Sequence, residues 1–203
     1  IVDPPPPEPP GGGEGEPRIK YIVDDVPFWV VAERVQYYGK DGKLITESLK
    51  DYTRRAVREE FKSLDDFLRS WNAAEKKQAV INELEEQGVL LEALANEVGK
   101  EFCPFDLICH VAFDQPPLTR RERAENVRKR NYFNKYGEKA RLVLNALLDK
   151  YADEGIENIE DIKVLRINPF DSLGTPTEIV NEFFGGKQDF VQAVRELEEH
   201  LFA

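Results

Sequence analysis

Residues 104–130, PFDLICHVAFDQPPLTRRERAENVRKR, contain the two contrasting helix patterns from which the fold can be worked out. The first pattern opens with Pro104 and is apolar on most sides, which is typical of a helix buried in a core. A pair of prolines then breaks the chain. Thr119 and Glu122 form a capping box that predicts the start of a second helix, rich in arginine. The stretch therefore predicts a central buried helix followed by a charged one.

The arginine-rich helix stands out because the rest of the chain is acidic. From Leu118 to Lys135 there are seven basic residues against two acidic ones, whereas the whole chain carries a net charge of -11. The apolar content of this segment is slight, so we expect it to bury little against its own domain and to face a partner or water. We call residues 119–136 the basic helix. Its predicted contact residues are Arg120, Arg121, Arg123, Arg128, Lys129 and Arg130.

Three interpretations of the basic helix remain open on residue chemistry alone. Its cations could displace the counterions of nucleic-acid phosphates, could contact an acidic protein surface, or could simply be solvated. On a helical wheel Arg120, Arg123 and Arg130 share one face, and Arg121 and Arg128 share a neighbouring one. The acidity of the whole chain argues against a free-standing DNA-binding protein. A helix-turn-helix at residues 72–99 is less favoured, because its many glutamates would face phosphates.

The residues before the helices favour a small antiparallel sheet. Residues 18–23 alternate in the manner of a strand, and residues 28–38 are rich in Trp, Val and Tyr. The Asp41-Gly42 pair supplies the positive φ angles of a tight hairpin turn, after which a short return strand would follow. We predict a small antiparallel β element over residues 18–47.

From residue 48 onward the apolar period changes from two residues to 3.6. Ser48 and Ser63 are predicted N-caps, Asn72 is predicted to open a third helix, and Asn158 to cap a short one. Further helices are expected after Leu90, Gly137, Thr175 and Gly186, of which the helix after Gly137 has the most regular apolar spacing. The predicted fold is mainly α, a multi-helix bundle preceded by a small antiparallel β-sheet, or α+β by strict count. The helical domain, 48–203, is expected to pack with 18–47 as one unit.

Residues 1–17 contain seven Pro and four Gly, which is typical of an interdomain linker. Because the chain has no Met, we expect a fragment of a longer protein, with a further domain upstream, rather than a processed product. No run of about 18 apolar residues and no signal peptide is present, so we expect no membrane contact and a cytoplasmic location.

No catalytic or metal-binding motif is found. Cys103 and Cys109 would lie roughly 9 Å apart along one helix, too far for a disulfide. Together with His110 they supply fewer than the four ligands of a structural zinc site, and the side chains of Cys109 and His110 diverge on a helix. Gly185-Gly186-Lys187 lacks the Ser or Thr of a phosphate-binding loop. We therefore predict no catalytic residue, no metal site and no cofactor in this chain.

A faint nuclease-like pattern, Glu160-Asp161-Ile162-Lys163, lies on a predicted helix. Metal-dependent nucleases cluster carboxylates and commonly place a Glu-x-Lys on a strand to bind a divalent ion. We therefore do not assign this segment a catalytic role.

Two runs of sequence carry a resemblance to a known family. Residues 104–124 and the segment Asn131-Tyr-Phe-Asn-Lys-Tyr-Gly137 resemble the C-terminal region of the restriction (R) subunit of type I restriction-modification enzymes. Shorter similarities are found at 33–37, 41–46, 84–93 and 168–170. The resemblance covers nearly everything after residue 17.

The resemblance implies an assembly role. In that family the R subunit carries an amino-terminal nuclease and two helicase-type motor domains, so the parent subunit would be an ATP-dependent type I site-specific deoxyribonuclease that uses ATP and Mg²⁺. The C-terminal region is associated with the methyltransferase and specificity subunits. The resemblance thus implies a non-catalytic domain that docks the R subunit onto the methyltransferase-specificity core. The alternative is a DNA-contacting module that binds duplex DNA through the basic helix, residues 119–136.

Overall fold

An antiparallel sheet begins the fold in the computed structural model, which describes residues 18–23, 26–31 and 33–203. Its strands lie in sequence order, each antiparallel to the next: β1 (Arg18–Val23), β2 (Val26–Val31), β3 (Arg34–Tyr38) and β4 (Leu44–Ser48). Phe28, Val30 and Val35 occupy the face that packs against the helices, as expected when alternate residues point to one side. The predicted small sheet is confirmed.

The sheet differs from the prediction in two details. Residues 28–38 form parts of two strands, because the chain reverses between Val31 and Arg34, which are paired across β2 and β3. The Asp41-Gly42 pair lies in a five-residue loop closed by a 2.9 Å hydrogen bond from the Gly39 N–H to the Lys43 carbonyl, and Gly42 has the positive φ, 74°. The predicted linker, residues 1–17, and the turn at residues 24 and 25 lie outside the described residues.

Helices form most of the rest of the chain. They are α1 (Leu49–Glu60), α2 (Leu64–Ala73), α3 (Lys77–Glu86), α4 (Leu91–Val98), α5 (Pro104–Phe113), α6 (Arg120–Lys129), α7 (Glu138–Glu154), α8 (Glu157–Glu160), α9 (Pro176–Glu178) and α10 (Lys187–Leu201). Short 3-10 turns span Asn131–Lys135, Ile162–Arg166 and Phe170–Ser172, and a π-turn spans Ile179–Phe183. The predicted fold class, mainly α with a small antiparallel sheet before the helices, is confirmed.

Short-range capping explains where several helices begin. The Ser48 hydroxyl accepts from the Asp51 N–H at 3.0 Å, and the Ser63 hydroxyl accepts from the Asp66 N–H at 3.2 Å. Thr119 forms the predicted capping box with Glu122. Such caps stabilise a helix by about 1 kcal/mol each. These helix starts were predictable because each cap lies within three residues of its partner.

Two predicted caps were wrong. Asn72 lies within α2, which continues to Ala73, and α3 begins only at Lys77. Asn158 lies inside α8, and the turn that follows is capped by Asp161, whose carboxylate accepts from the Lys163 N–H at 2.9 Å. In both cases a carboxylate, not the predicted Asn, accepts from the first N–H groups of the helix or turn.

Helix α5 joins the two apolar clusters of the core. Phe105 and Ile108 belong to the larger cluster, which lies among the helices, whereas Leu107 and Val111 pack in the smaller one between the sheet and α1, α4 and α5. The central position predicted for this helix is therefore confirmed. No helix in the described ranges is long and apolar enough to cross a membrane.

Candidate partner-binding surface

Helix α6 packs against α7 and α10. Its capping box starts it after the break at residues 116 and 117, and it buries Ala124 and Val127. We expected little burial of this helix because few of its residues are apolar. That expectation was wrong, since arginine side chains supply much of its contact with the domain.

Arg123 lies inside the domain, with only 9% of its surface exposed. Its Nε and Nη2 donate to the Asp106 carboxylate at 2.6 and 2.8 Å, and its Nη1 donates to the Leu201 carbonyl at 2.6 Å. The guanidinium carbon lies 4.9 Å from the ring centre of Phe105 and 5.5 Å from that of Phe202. This side chain therefore joins α5, α6 and α10, and in the folded domain it is not available to a partner.

The environment of Arg123 favours its charged form. Burial alone would lower the pKa of this guanidinium, but hydrogen bonds and attraction from the Asp106 carboxylate raise it above its ordinary value. Two parallel N–H donors on one carboxylate make a bidentate pair, the strongest geometry for these groups.

Asp106 is the residue that analysis of the sequence missed. It is 1% exposed, and besides Arg123 it accepts from the Cys103 thiol at 2.9 Å and from the Leu118 N–H at 2.9 Å. A signal was present, because a lone carboxylate in a helix that is apolar on most sides needs a cationic partner. The arginine-rich segment that follows in sequence supplies that partner.

Cys103 and Cys109 are both free, as predicted, and both are buried. Burial, followed by the nearby Asp106 carboxylate, raises the pKa of each thiol to about 12. Because the thiolate is the nucleophilic form, neither sulfur is activated for chemistry at neutral pH.

Arg120 and Arg130 are half-buried and donate to carbonyls of their own domain. The Nη1 of Arg120 donates to the carbonyls of Lys100 and Phe102 at 2.8 and 3.1 Å, and the Nη1 of Arg130 donates to the His200 carbonyl at 3.0 Å. The grouping of these two arginines with Arg123 on one face was predicted from helix geometry. In the structure that face lies against the domain, with Arg123 buried and the other two half-buried at its edges.

The exposed cations of α6 are Arg121, Arg128 and Lys129. Arg121 pairs with Asp153 of α7 at 3.3 Å, and Arg128 pairs with Asp149 of the same helix. Lys129 has no ion pair among the residues that the structure describes. A cleft of about 280 Å³ lies between these side chains where the two helices meet, and exposed Glu125 also lines it. We call the surface formed by Arg121, Glu125, Arg128, Lys129, Asp149 and Asp153 the α6–α7 face.

The predicted basic helix, residues 119–136, is shorter in the structure, because α6 ends at Lys129 and a 3-10 turn, Asn131–Lys135, follows. This turn is aromatic and packs on α10. Tyr132 stacks on His200 with ring centres 4.1 Å apart, and the Tyr136 hydroxyl donates to Glu196 at 2.6 Å. Near the end of α10, a cationic histidine would complement the helix dipole. The structure favours the neutral imidazole, because burial and the neighbouring Arg130 lower the pKa of His200.

The other residues considered for chemistry have structural roles. The His110 Nδ1 lies 3.0 Å from the Gln115 carbonyl. Glu160, from the faint nuclease pattern, caps α3 by accepting from the Lys77 and Gln78 N–H groups. Within the described ranges, no group of three or more His, Cys, Asp or Glu side chains is arranged to hold a metal ion.

Comparison with known proteins gives a consistent result. The family described as EcoEI R protein C-terminal matches residues 47–202. The chain is 56% identical over 190 residues to the type I restriction enzyme EcoAI endonuclease subunit of Escherichia coli, a match that covers 93% of this chain and 24% of that relative. The chain thus spans about a quarter of the length of this curated relative. No solved structure matches it.

Proposed function

The chain belongs to the family of C-terminal domains of type I restriction enzyme R subunits, and on that premise we propose that it is a non-catalytic assembly domain. It would dock the translocase and nuclease parts of the R subunit onto the methyltransferase-specificity core. The proposed contact is the α6–α7 face. We further propose that ATP and Mg²⁺ act in other domains of the parent subunit, in the cytoplasm.

The observation that carries this proposal is the alternation of charge on the α6–α7 face. Arg121 and Arg128 each lie against an aspartate of α7, so this face presents positive and negative charges side by side to a partner. A phosphate backbone would be repelled by those aspartates, whereas a protein surface can present complementary charges to both. Arg120, Arg123 and Arg130 are left out of the proposed contact because they bind groups of their own domain.

One observation favours the DNA-contacting alternative. Lys129, Lys139 and Arg141 are exposed around the connection from α6 to α7, and none has an ion pair in the described part of the chain. These cations could approach a duplex that passes beside the subunit. Under this alternative these three exposed cations, rather than the paired Arg121 and Arg128, would carry the binding.

The test removes the exposed charges without touching the buried ones. We expect the triple variant Arg121→Gln, Arg128→Gln, Lys129→Gln of the full-length R subunit to bind the methyltransferase-specificity core about tenfold more weakly or worse. Complex formation is measured by size-exclusion chromatography with light scattering over a concentration series.

A matched control carries the same change of charge on the sheet. The triple variant Arg34→Gln, Lys40→Gln, Lys43→Gln also loses three exposed cations, and we expect its assembly to equal that of the parent subunit. Equal assembly by both triple variants would contradict the proposed contact. Normal assembly by the α6 variant, combined with lost duplex binding in the triple variant Lys129→Gln, Lys139→Gln, Arg141→Gln, would instead establish the DNA alternative.

A further inference from the structure

A cavity of about 350 Å³ lies among the start of α3, helix α8 with the turn after it, and α10. Its apolar wall includes Ile159, Phe190 and Val194. None of its lining residues belongs to the α6–α7 face. The proposed function leaves this cavity unused.

Glu198 is the unusual group in this cavity. The residue is 3% exposed, and within the described residues no hydrogen bond and no ion pair shorter than 4.0 Å reaches its carboxylate. Buried carboxylates are nearly always paired, because an isolated buried charge is costly. Burial, followed by the nearby Glu160 carboxylate, raises the pKa of Glu198 to about 8. Glu198 therefore lines the cavity without the partner that such a group normally has.

The nearest buried cation does not fill this role. Lys77 is also buried, but its ammonium group donates to the carbonyls of Trp71 and Ala74 at 2.8 and 3.1 Å. The cations that line the cavity, Lys76, Lys187 and Arg195, are exposed. Among the described residues that line the cavity, Glu198 is thus the buried charged group, and half-buried Glu160 is a second carboxylate.

The lining also includes exposed apolar side chains. Ile162 is 41% exposed and Val191 is 49% exposed. Apolar groups around a deep polar pocket suit the aliphatic stem of a long side chain whose charged end is buried. They also match the anatomy of a protein interface, where an anchor residue fills a pocket and its surroundings exclude water.

We propose that this cavity receives a basic side chain, lysine or arginine, of a partner polypeptide. The cationic end contacts the carboxylates of Glu198 and Glu160, and the aliphatic stem lies against Val194, Phe190 and the exposed pair Ile162 and Val191. This cavity is separate from the α6–α7 face. The proposal for the cavity therefore does not depend on the contact proposed for that face.

Saturation-transfer NMR on the full-length R subunit tests the proposal, since it detects weak ligands of large proteins. The probe is Nα-acetyl-lysine methylamide. The matched control ligand is Nα-acetyl-norleucine methylamide, which keeps the stem and lacks the ammonium group. We expect saturation transfer to the lysine derivative to exceed that to the norleucine derivative at least fivefold.

Matched protein variants show where the probe binds. Glu198→Gln should abolish the difference between the two ligands, and Glu199→Gln, the same change at an exposed position of the same helix, should leave it intact. Glu198→Asp, which keeps the charge and shortens the side chain, should give an intermediate result. A single cooperative melting transition of Glu198→Gln, at or above the temperature of the parent chain, would show that the domain remains folded.

Three results would overturn the proposal. The first is equal saturation transfer to the lysine and norleucine derivatives, and the second is an unchanged preference in Glu198→Gln. The third is Glu198-dependent binding of free spermidine at least a hundredfold tighter than that of the lysine derivative, because the occupant would then be a small polyamine. Weaker assembly of the R subunit with the methyltransferase-specificity core in Glu198→Gln, but not in Glu199→Gln, would support it.

Discussion

Arg123 and Asp106 depend on each other, because each is a buried charge whose partner is the other. Removing one member of such a pair leaves an uncompensated charge in the core and typically costs about 3–5 kcal/mol. An exposed pair such as Arg121 with Asp153 is worth less, about 0–1 kcal/mol, because water screens it. Two arginines of the same helix therefore contribute very differently to the free energy of unfolding.

We predict that Arg123→Ala lowers the free energy of unfolding of the 203-residue chain by about 3–5 kcal/mol, whereas Arg121→Ala lowers it by less than about 1 kcal/mol. The two changes are matched in residue type and helix, and they differ in burial. Urea denaturation followed by circular dichroism measures both. Equal losses would mean that the Arg123 guanidinium is solvated.

Glu198 should make stability depend on pH. Its pKa rises from an ordinary value of 4.5 to about 8 on folding, so between these values the folded state binds the proton more tightly than the unfolded state. The contribution of Glu198 to stability is therefore greatest below about pH 4.5, and it falls as the pH rises towards 8.

We predict that Glu198→Gln unfolds with a weaker dependence on pH between 5 and 8, and that it is more stable than the parent chain at pH 8 by on the order of 1–3 kcal/mol. Melting temperatures across this range provide the measurement, with Glu199→Gln as the control. If Glu198→Gln and the parent chain gave parallel curves, Glu198 would have an ordinary pKa.

At the scale of elements, the predictability of each helix start depends on how far away its cap lies. The caps of α1, α2 and α6 lie within three residues of their partners, so spacing alone reveals them. The cap of α3 is Glu160, which reaches the Lys77 and Gln78 N–H groups from 83 and 82 residues away. Such a contact leaves no local pattern, and this explains why α3 was predicted to begin too early.

The orientation of α6 was mispredicted for a related reason. Helix spacing correctly grouped Arg120, Arg123 and Arg130, but a charged face is ordinarily assigned to solvent. This face lies against the domain because its arginines bind Asp106 and the carbonyls of Lys100 and His200. These partners come from other elements, so the periodicity of α6 itself could not show them.

The remote cap leads to a prediction for α3. We expect Glu160→Ala to destabilise the start of this helix by about 1–2 kcal/mol, seen as faster hydrogen exchange of the Lys77 and Gln78 amides with little change in α7. Glu157→Ala, an exposed residue of the same short helix α8, is the control. Exchange that stayed unchanged in Glu160→Ala would show that water serves these amides equally well.

At the scale of the whole molecule, the charge balance distinguishes the two candidate functions through their dependence on salt. The chain carries a net charge of -11, and α6 neutralises most of its own cations internally or against α7. Binding to a duplex through three exposed cations would release counterions from the phosphates. The logarithm of the binding constant would then fall with the logarithm of the salt concentration, with a slope of about -0.9 per phosphate contact. Raising salt from 50 to 200 mM would therefore weaken duplex binding roughly 40-fold.

Docking through the α6–α7 face should respond less to salt, because the paired aspartates offset the charge of the arginines. Salt then weakens both the attractions and the repulsions between this face and its partner, so the net change in binding is small. We predict that the same rise in salt weakens binding of the full-length R subunit to the methyltransferase-specificity core by less than about tenfold, as measured by fluorescence anisotropy. The Arg34, Lys40, Lys43 triple variant should follow the same curve as the parent. A loss of protein binding as steep as that calculated for a duplex would contradict a contact in which the aspartates of α7 offset the arginines of α6.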